Sequence, residues 1–355
     1  MTAFNSLLLR SNKLVKRSLK TRHIRYVVCA AALTFLLITT RAPWNTTMTI
    51  LPFFTPIVPA YPFEKDQTGV NSLLTKENFK KIFEPPLLGG ERRCSDSTKI
   101  LVAINSAAAN SPQRQAIRET WSQFVRESNQ TSLFFVSIPS DRNLRRQILL
   151  ENQKHQDIVL FSIQDSYYLL TFKILALLNW ANINCPKLAF LLKCDDDFYL
   201  DWPNLFEYIA EKNSTDMLYG RVNTYTSVHR NVLSRWFMPE SDYPASDYPV
   251  YLSGSPLFVS YNLLSKLLEV AGRVKPFYID DVWITGILRE QIPEAKMVAI
   301  PNVFGTYSPD DDEFCRPLPA LALHRVGPPQ MYRFFRYQRW RIVISLLCLL
   351  YRPLL

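Results

Sequence analysis

The run Phe190-Leu191-Leu192-Lys193-Cys194 is apolar enough to be buried, and it stops at three consecutive carboxylates, Asp195-Asp196-Asp197. Adjacent carboxylates repel one another unless water or a cation neutralises them, so this strand has to end where the core ends. Alternation along an extended backbone sends Asp195 and Asp197 to one side and Asp196 to the other. An Asp-x-Asp pair on one face suits a hard cation, Mg²⁺ or Mn²⁺, shared with a diphosphate. The plainer alternative is a solvated acidic turn capping the next helix. The apolar strand before the cluster and Phe198-Tyr199 after it count against that alternative.

The surrounding sequence alternates in kind. Lys99–Ile104, Leu133–Ile138 and Leu188–Leu192 read as buried strands. Ser111–Phe124 and Tyr167–Asn182 have helical composition and period, the second with Leu169, Phe172, Leu175, Ala176 and Leu178 on its apolar positions. Alternating strands and helices predict an α/β sheet flanked by helices, with its site at the carboxyl ends of strands. No Gly-x-Gly, Gly-Lys-Ser/Thr, Cys-x-x-Cys or His-Glu-x-x-His occurs, which removes the Rossmann fingerprint, the P-loop and the commonest zinc motifs.

A net charge of +10 over 355 residues suggests nucleic acid until its distribution is read. Residues 1–25 hold seven Lys/Arg and no acid, and six more basic residues follow from Arg325 onward, again without an acid. Residues 26–324 hold 28 basic against 31 acidic residues, a net of −3, so no nucleic-acid partner is expected. Tyr26 to Thr40 is uncharged and apolar, about 22 Å as a helix, short for a hydrocarbon core of about 30 Å. Flanking Arg25 and Arg41 can snorkel and Trp44 can sit at the interface. The expected organisation is a cytoplasmic basic tail (1–25), a signal-anchor helix (26–40), a proline-rich stem (41–93), a lumenal domain (94–335) and a basic, apolar C-terminal segment (336–355). A cleaved signal peptide is the rival for residues 26–40.

Asn45, Asn129 and Asn213 stand in Asn-x-Ser/Thr triplets, the glycosylation sites such a topology allows. Cys94, Cys185, Cys194 and Cys315 allow up to two lumenal disulfides in any of three pairings, or buried free thiols. Two further islands bear on chemistry. Tyr248-Pro249-Val250-Tyr251-Leu252-Ser253-Gly254-Ser255 sets aromatics around a glycine, as a sugar platform or as core. Tyr278 to Gly286 embeds Asp280-Asp281 among bulky apolar residues, where burial raises a carboxylate toward the range of a general base. Asp280 also stands where the N-cap of a helix over Asp281–Glu290 is expected, so one Asp caps and the other is free for catalysis.

Taken in order, these islands resemble the family 31 glycosyltransferases, the beta-1,3-galactosyltransferase and beta-1,3-N-acetylglucosaminyltransferase group. Arg114-Gln115-Ala116-Ile117-Arg118-Glu119-Thr120-Trp121 is similar to its Arg-x-x-x-Arg-x-Thr-Trp signature, and Asp165-Ser166-Tyr167 with Leu170-Thr171 and Lys173 to its next helix. Lys193–Asp197 matches its Lys-x-Asp-Asp-Asp, Tyr248–Gly254 its Tyr-Pro-x-Tyr-x-x-Gly, and Asp280-Asp281-Val282 its Glu-Asp-Val. The likeness runs from about residue 99 to 335. Asp280 departs by replacing the usual Glu, and Ser255-Pro256 stand where small glycines are common.

The resemblance implies a type II Golgi membrane protein with a lumenal GT-A domain, a mixed and mostly parallel sheet flanked by helices. It implies inverting transfer of a hexose, galactose foremost, from a UDP-sugar to an acceptor glycan in beta-1,3 linkage. N-acetylglucosamine or N-acetylgalactosamine transfer is the alternative, as is a non-catalytic glycan-binding protein of the same fold; an oligomer is open. The metal is expected to be Mn²⁺, or Mg²⁺ in its place, on Asp197, Asp195 and His324. Asp281 is expected as the base with Asp280 beside it. Arg114, Arg118, Asp195 and Asp196 are expected on the donor side, and Tyr251, Gly254 and Trp283 on the acceptor side.

Overall fold

The computed structural model describes residues 73–91, 93–300, 304–306 and 321–340. Its elements begin with α1 (Lys76–Lys80), a 3-10 turn (Lys81–Phe83), β1 (Ile100–Asn105), α2 (Ser111–Glu119), α3 (Ser122–Glu127) and β2 (Thr131–Ile138). They continue with α4 (Arg142–His155), β3 (Ile158–Gln164), α5 (Leu170–Asn184), β4 (Phe190–Asp195), β5 (Phe198–Leu200) and α6 (Trp202–Ala210). Next come β6 (Met217–Gly220), β7 (Val222–Asn223), β8 (Tyr251–Leu252), β9 (Leu257–Ser260) and α7 (Tyr261–Ala271). A π-helical stretch (Val282–Leu288), β10 (Lys296–Ala299), β11 (Phe304–Thr306), β12 (Ala322–His324) and α8 (Pro328–Arg339) complete them.

Seven strands form the main sheet in the order β10-β6-β9-β4-β1-β2-β3, and only β9 runs antiparallel to its neighbours. The strands are apolar on both faces because helices cover both faces. Leu101, Ala103, Leu133, Phe135, Val159, Phe161 and Leu191 belong to one core with α5 and α7. Their neighbours in sequence, Val102, Ile104, Phe134, Val136, Leu160 and Leu192, belong to the other, with Ile117, Trp121, Leu205 and Met331. Helix α5 is buried almost all round, from Thr171 to Ala181, so it shows no polar stripe. The expected strands appear within three residues of their expected limits.

Two expected elements are reshaped. The helix expected over Ser111–Phe124 breaks at Thr120, whose backbone (φ −122°, ψ −118°) is not helical. The break turns Trp121 fully inward, where its indole N–H donates to the Phe198 carbonyl at 3.1 Å. Tyr167–Leu169 forms a 3-10 turn ahead of α5, its first N–H groups met by Ser166.

The expected stem gives up its last part to the domain. Ile82 is buried, Phe79 packs edge-on against Phe172, and Trp180 and Asn179 of α5 donate to the carbonyls of Gly89 and Ile82. Leu87 and Leu88 bond to Leu160 of β3, so residues 73–91 cap the sheet rather than extend from it. Sparse apolar residues among prolines hid this packing. The tail, the anchor, Asn45 and Cys315 lie outside the described residues. No helix among the described residues is long and apolar enough to cross a membrane. Asn129 lies exposed in a turn and Asn213 exposed in a loop.

Of the expected pairings, Cys94 joins Cys185, while Cys194 is a buried free thiol. The bridge ties the approach to β1 to the end of α5 across 91 residues of chain. Cys94→Ala/Cys185→Ala is expected to cost about 2–4 kcal/mol of unfolding free energy in urea titration, because the open chain gains loop entropy.

Candidate active site

Strand β4 delivers the three carboxylates to a turn, and each meets different partners. Asp195, its last residue, accepts from Asn105 Nδ2 at 2.8 Å, and its backbone N–H donates to Ser255 Oγ at 2.9 Å. Asp196 points inward, accepting from Ser106 Oγ at 2.6 Å and Asn110 Nδ2 at 3.0 Å. Burial pushes the Asp196 carboxyl up to about 6 despite those donors. Asp197 stays half-exposed, with Oδ2 3.2 Å from Nε2 of His324. The antiparallel pairing of β5 with β12 sets His324 opposite Phe198, on whose ring it stacks at 4.7 Å.

Asp197, in the turn after β4, and His324, at the end of β12, therefore fit one edge of a hard-metal site, a carboxylate and an imidazole 3.2 Å apart. Asp195 does not join them. Its carboxylate is engaged by Asn105 and by the Lys193 ammonium at 3.1 Å, and no group of three His, Cys, Asp or Glu gathers to hold a metal among the described residues.

Lys193 is the residue that sequence reasoning left without a role. Its side chain is 3% exposed, donates to the Gly254 carbonyl at 2.6 Å, and lies 3.8 Å from Asp280. Burial alone would lower this ammonium, but Asp195 and Asp280 outweigh it and hold it well above the usual lysine range. The signal was there: a lysine inside a buried strand needs carboxylate partners elsewhere in the chain.

The second acidic island begins a helix. Asp281, not Asp280, is the capping residue: its Oδ1 accepts from Val282 N–H at 2.8 Å. Its Oδ2 accepts from Gly254 N–H at 3.2 Å. Burial first, and then the neighbouring Asp280 charge, push the Asp281 carboxyl up to about 7. Burial raises Asp280 as well, against the pull of Lys193. Thr285 fastens this helix to β8, donating to the Asp281 carbonyl at 2.6 Å and accepting from Leu252 N–H at 2.9 Å. Gly286 permits the approach, since a Cβ there would sit 3.1 Å from Pro249 and 3.2 Å from Tyr251.

Beside Asp281 opens a cleft of about 300 Å³, walled also by Arg221, His229, Trp236 and Tyr251. Trp283, expected to face an acceptor, is fully buried and donates its indole N–H to the Lys275 carbonyl at 3.0 Å. Two residues along a helix from Asp281 is roughly half a turn around it, which turns Trp283 away from the cleft. Arg114 and Arg118, expected to face a donor, are committed to the interior. Arg114 is bidentate to Glu151 at 2.7 and 2.8 Å, and also donates to Ser106 Oγ and to the Ala107 and Ala108 carbonyls. Arg118 is bidentate to Asp157 at 2.7 and 2.8 Å and covers the Phe134 ring. Arg114 serves the site indirectly, through Ser106 and Asp196.

Lys193→Met would leave Asp195, Asp280 and Asp281 without their shared cation. A loss of about 3–5 kcal/mol at neutral pH is expected in urea denaturation. Carboxylates whose folded pKa lies above the unfolded value cost stability as pH rises past that value. The deficit should therefore shrink between pH 7 and pH 5.

A model of the family described as Galactosyltransferase matches residues 112–296. The chain is 30% identical over 241 residues to the rat lactosylceramide 1,3-N-acetyl-beta-D-glucosaminyltransferase, covering 64% of this chain and 63% of that protein. It is 28% identical over 251 residues to the human N-acetyllactosaminide beta-1,3-N-acetylglucosaminyltransferase 2, covering 67% of this chain and 62% of that protein. Among solved structures, the apo WbbM bifunctional glycosyltransferase aligns with a TM-score of 0.37 and 11% identity, over 70% of this chain and 51% of that one.

Proposed function

Because the chain belongs to the galactosyltransferase family, we propose that it is an inverting glycosyltransferase that moves N-acetylglucosamine from its UDP conjugate to an acceptor glycan in beta-1,3 linkage. Galactose, foremost on sequence grounds, yields to N-acetylglucosamine because the relatives above are named for that sugar. Those names also carry lactosylceramide and N-acetyllactosaminide, so the acceptor proposed is a glycan ending in galactose. The basic and apolar N-terminal segments fit a lumenal, membrane-tethered enzyme of the Golgi, and the mixed sheet fits a GT-A domain.

The observation that carries the reading is Asp281: a buried carboxylate, pushed up to about 7, fastened by two backbone N–H groups in the wall of an open cleft. In transfer, the acceptor hydroxyl gives its proton to Asp281 while its oxygen bonds to the anomeric carbon of the donor. The bond from that carbon to the diphosphate breaks on the opposite side, UDP leaves with the electron pair, and the configuration inverts. No covalent enzyme intermediate is needed. Lys193 and Gly254 hold Asp281 and Asp280 against the end of β4. Mn²⁺ held by Asp197 and His324 would supply charge neutralisation to the leaving diphosphate.

Incubation with UDP-N-acetylglucosamine, UDP-galactose and UDP-N-acetylgalactosamine, Mn²⁺ and N-acetyllactosamine tests the donor, and absence of transfer from all three sinks the reading. Asp281→Asn should reduce kcat by about 10²–10⁴-fold with donor KM little changed, as loss of a general base does. The base works only when deprotonated, so wild-type kcat/KM should fall about tenfold per pH unit below about 7. Asp197→Asn and His324→Ala should each raise the Mn²⁺ concentration needed for half-maximal rate.

A further inference from the structure

The loop between β7 and β8 carries an exposed aromatic that no fold requirement explains. Trp236 is 43% exposed on the wall of the cleft that holds Asp281. Large apolar side chains left in water at a cleft are the informative exception to burial. This one is also held in place. Its backbone N–H donates to Ser234 Oγ at 3.2 Å, and its ring lies 5.5 Å from that of His229 and 5.1 Å from the Arg235 guanidinium. Met238 N–H donates to the His229 carbonyl at 2.9 Å, closing the loop on itself. Arg230 braces it from within, donating to the carbonyls of Met238, Tyr243 and Ala245.

The loop is tied to the acidic island as well. The Tyr278 hydroxyl donates to the Phe237 carbonyl at 2.5 Å, so the residue next to Trp236 is fastened two positions ahead of Asp280. The ring is thereby set relative to Asp281 by one hydrogen bond and a short run of chain. The cleft walls include Asp281, Arg221, Asn223, Thr226, His229 and Trp236, and they include none of Asp195, Asp197 and His324. The cleft is thus on the acceptor side of the base, away from the carboxylate and imidazole of the diphosphate side.

Resting on the transferase reading, we infer that Trp236, steadied by His229, is the platform on which a pyranose ring of the acceptor glycan stacks. The C–H face of a pyranose carries the positive edge that the negative face of an indole attracts. Arg221, Asn223 and Thr226 line the same cleft with groups suited to sugar hydroxyls. Trp236 is then a binding and specificity residue for the acceptor, with no part in the donor chemistry.

The test is steady-state kinetics of the full chain with UDP-N-acetylglucosamine and N-acetyllactosamine, each varied in turn. Trp236→Ala is expected to raise acceptor KM about tenfold, the scale of one aromatic contact, while donor KM moves less than twofold. Trp236→Phe, which keeps a stacking face, is expected to recover most of that loss. An unchanged acceptor KM in Trp236→Ala, or donor and acceptor KM rising together, overturns the inference and leaves the transferase reading standing. A wild type that transfers no sugar from any of the three UDP donors overturns that reading, and this inference with it.

Discussion

One ammonium group fastens three parts of the chain that are far apart in sequence. Lys193 bonds to Asp195 on its own strand, to the carbonyl of Gly254, and faces Asp280 at the start of the π-helical stretch. Burying a charge of this kind costs several kcal/mol unless partners make good its lost hydration. The partners therefore have to converge, and their convergence is the site. The Gly254 N–H, the other half of the same residue, goes to Asp281. Ser255 takes the Asp195 N–H, so a two-residue clip joins the end of β4 to the candidate base.

A second brace works from behind. Arg114 is fully buried, and its five-donor fork is used on Glu151 and on the Ser106–Ala108 loop that follows β1. Ser106, positioned in this way, donates to Asp196, and the Lys173 ammonium donates to the Ser106 carbonyl at 2.7 Å. Burial lowers Lys173 to about 8, which leaves it largely charged near neutrality. The acidic turn is thus pinned at Asp195 from the front and at Asp196 from the back. Asp197 is the member left facing outward, toward His324.

The sequence made the sheet legible because strands covered on both faces are continuous apolar runs, and Ile100–Ile104 and Phe190–Leu192 are such runs. It made the acidic islands legible because clustered carboxylates beside apolar residues demand a reason. What it could not reveal was direction. Arg114 and Arg118 look the same whether they meet a phosphate or Glu151 and Asp157, and only the packing of α2 against α4 and β3 decides. Trp283 failed for a matter of helical phase, roughly half a turn from Asp281. Trp236 passed unnoticed because it lies in a loop with neither period nor motif, where exposure is a property of the fold alone.

The charges around Lys193 suit one carboxylate of the group to the role proposed for it, a base near neutrality. Asp195, Asp280 and Asp281 share a single buried ammonium, so full ionisation would leave two uncompensated negative charges in a low-dielectric pocket. Asp195 has the shorter contact to Lys193, 3.1 Å against 3.8 Å for Asp280, and is the carboxylate the ammonium answers directly. Between the two that remain, Asp281 has two backbone N–H donors to receive its charge when it forms, yet it feels the neighbouring Asp280 charge. Burial and the Asp280 charge consequently push Asp281 up to about 7. A second lysine in the pocket would drain that proton affinity, and a missing one would make the charge too costly to form; one cation among three carboxylates leaves the candidate base between those limits.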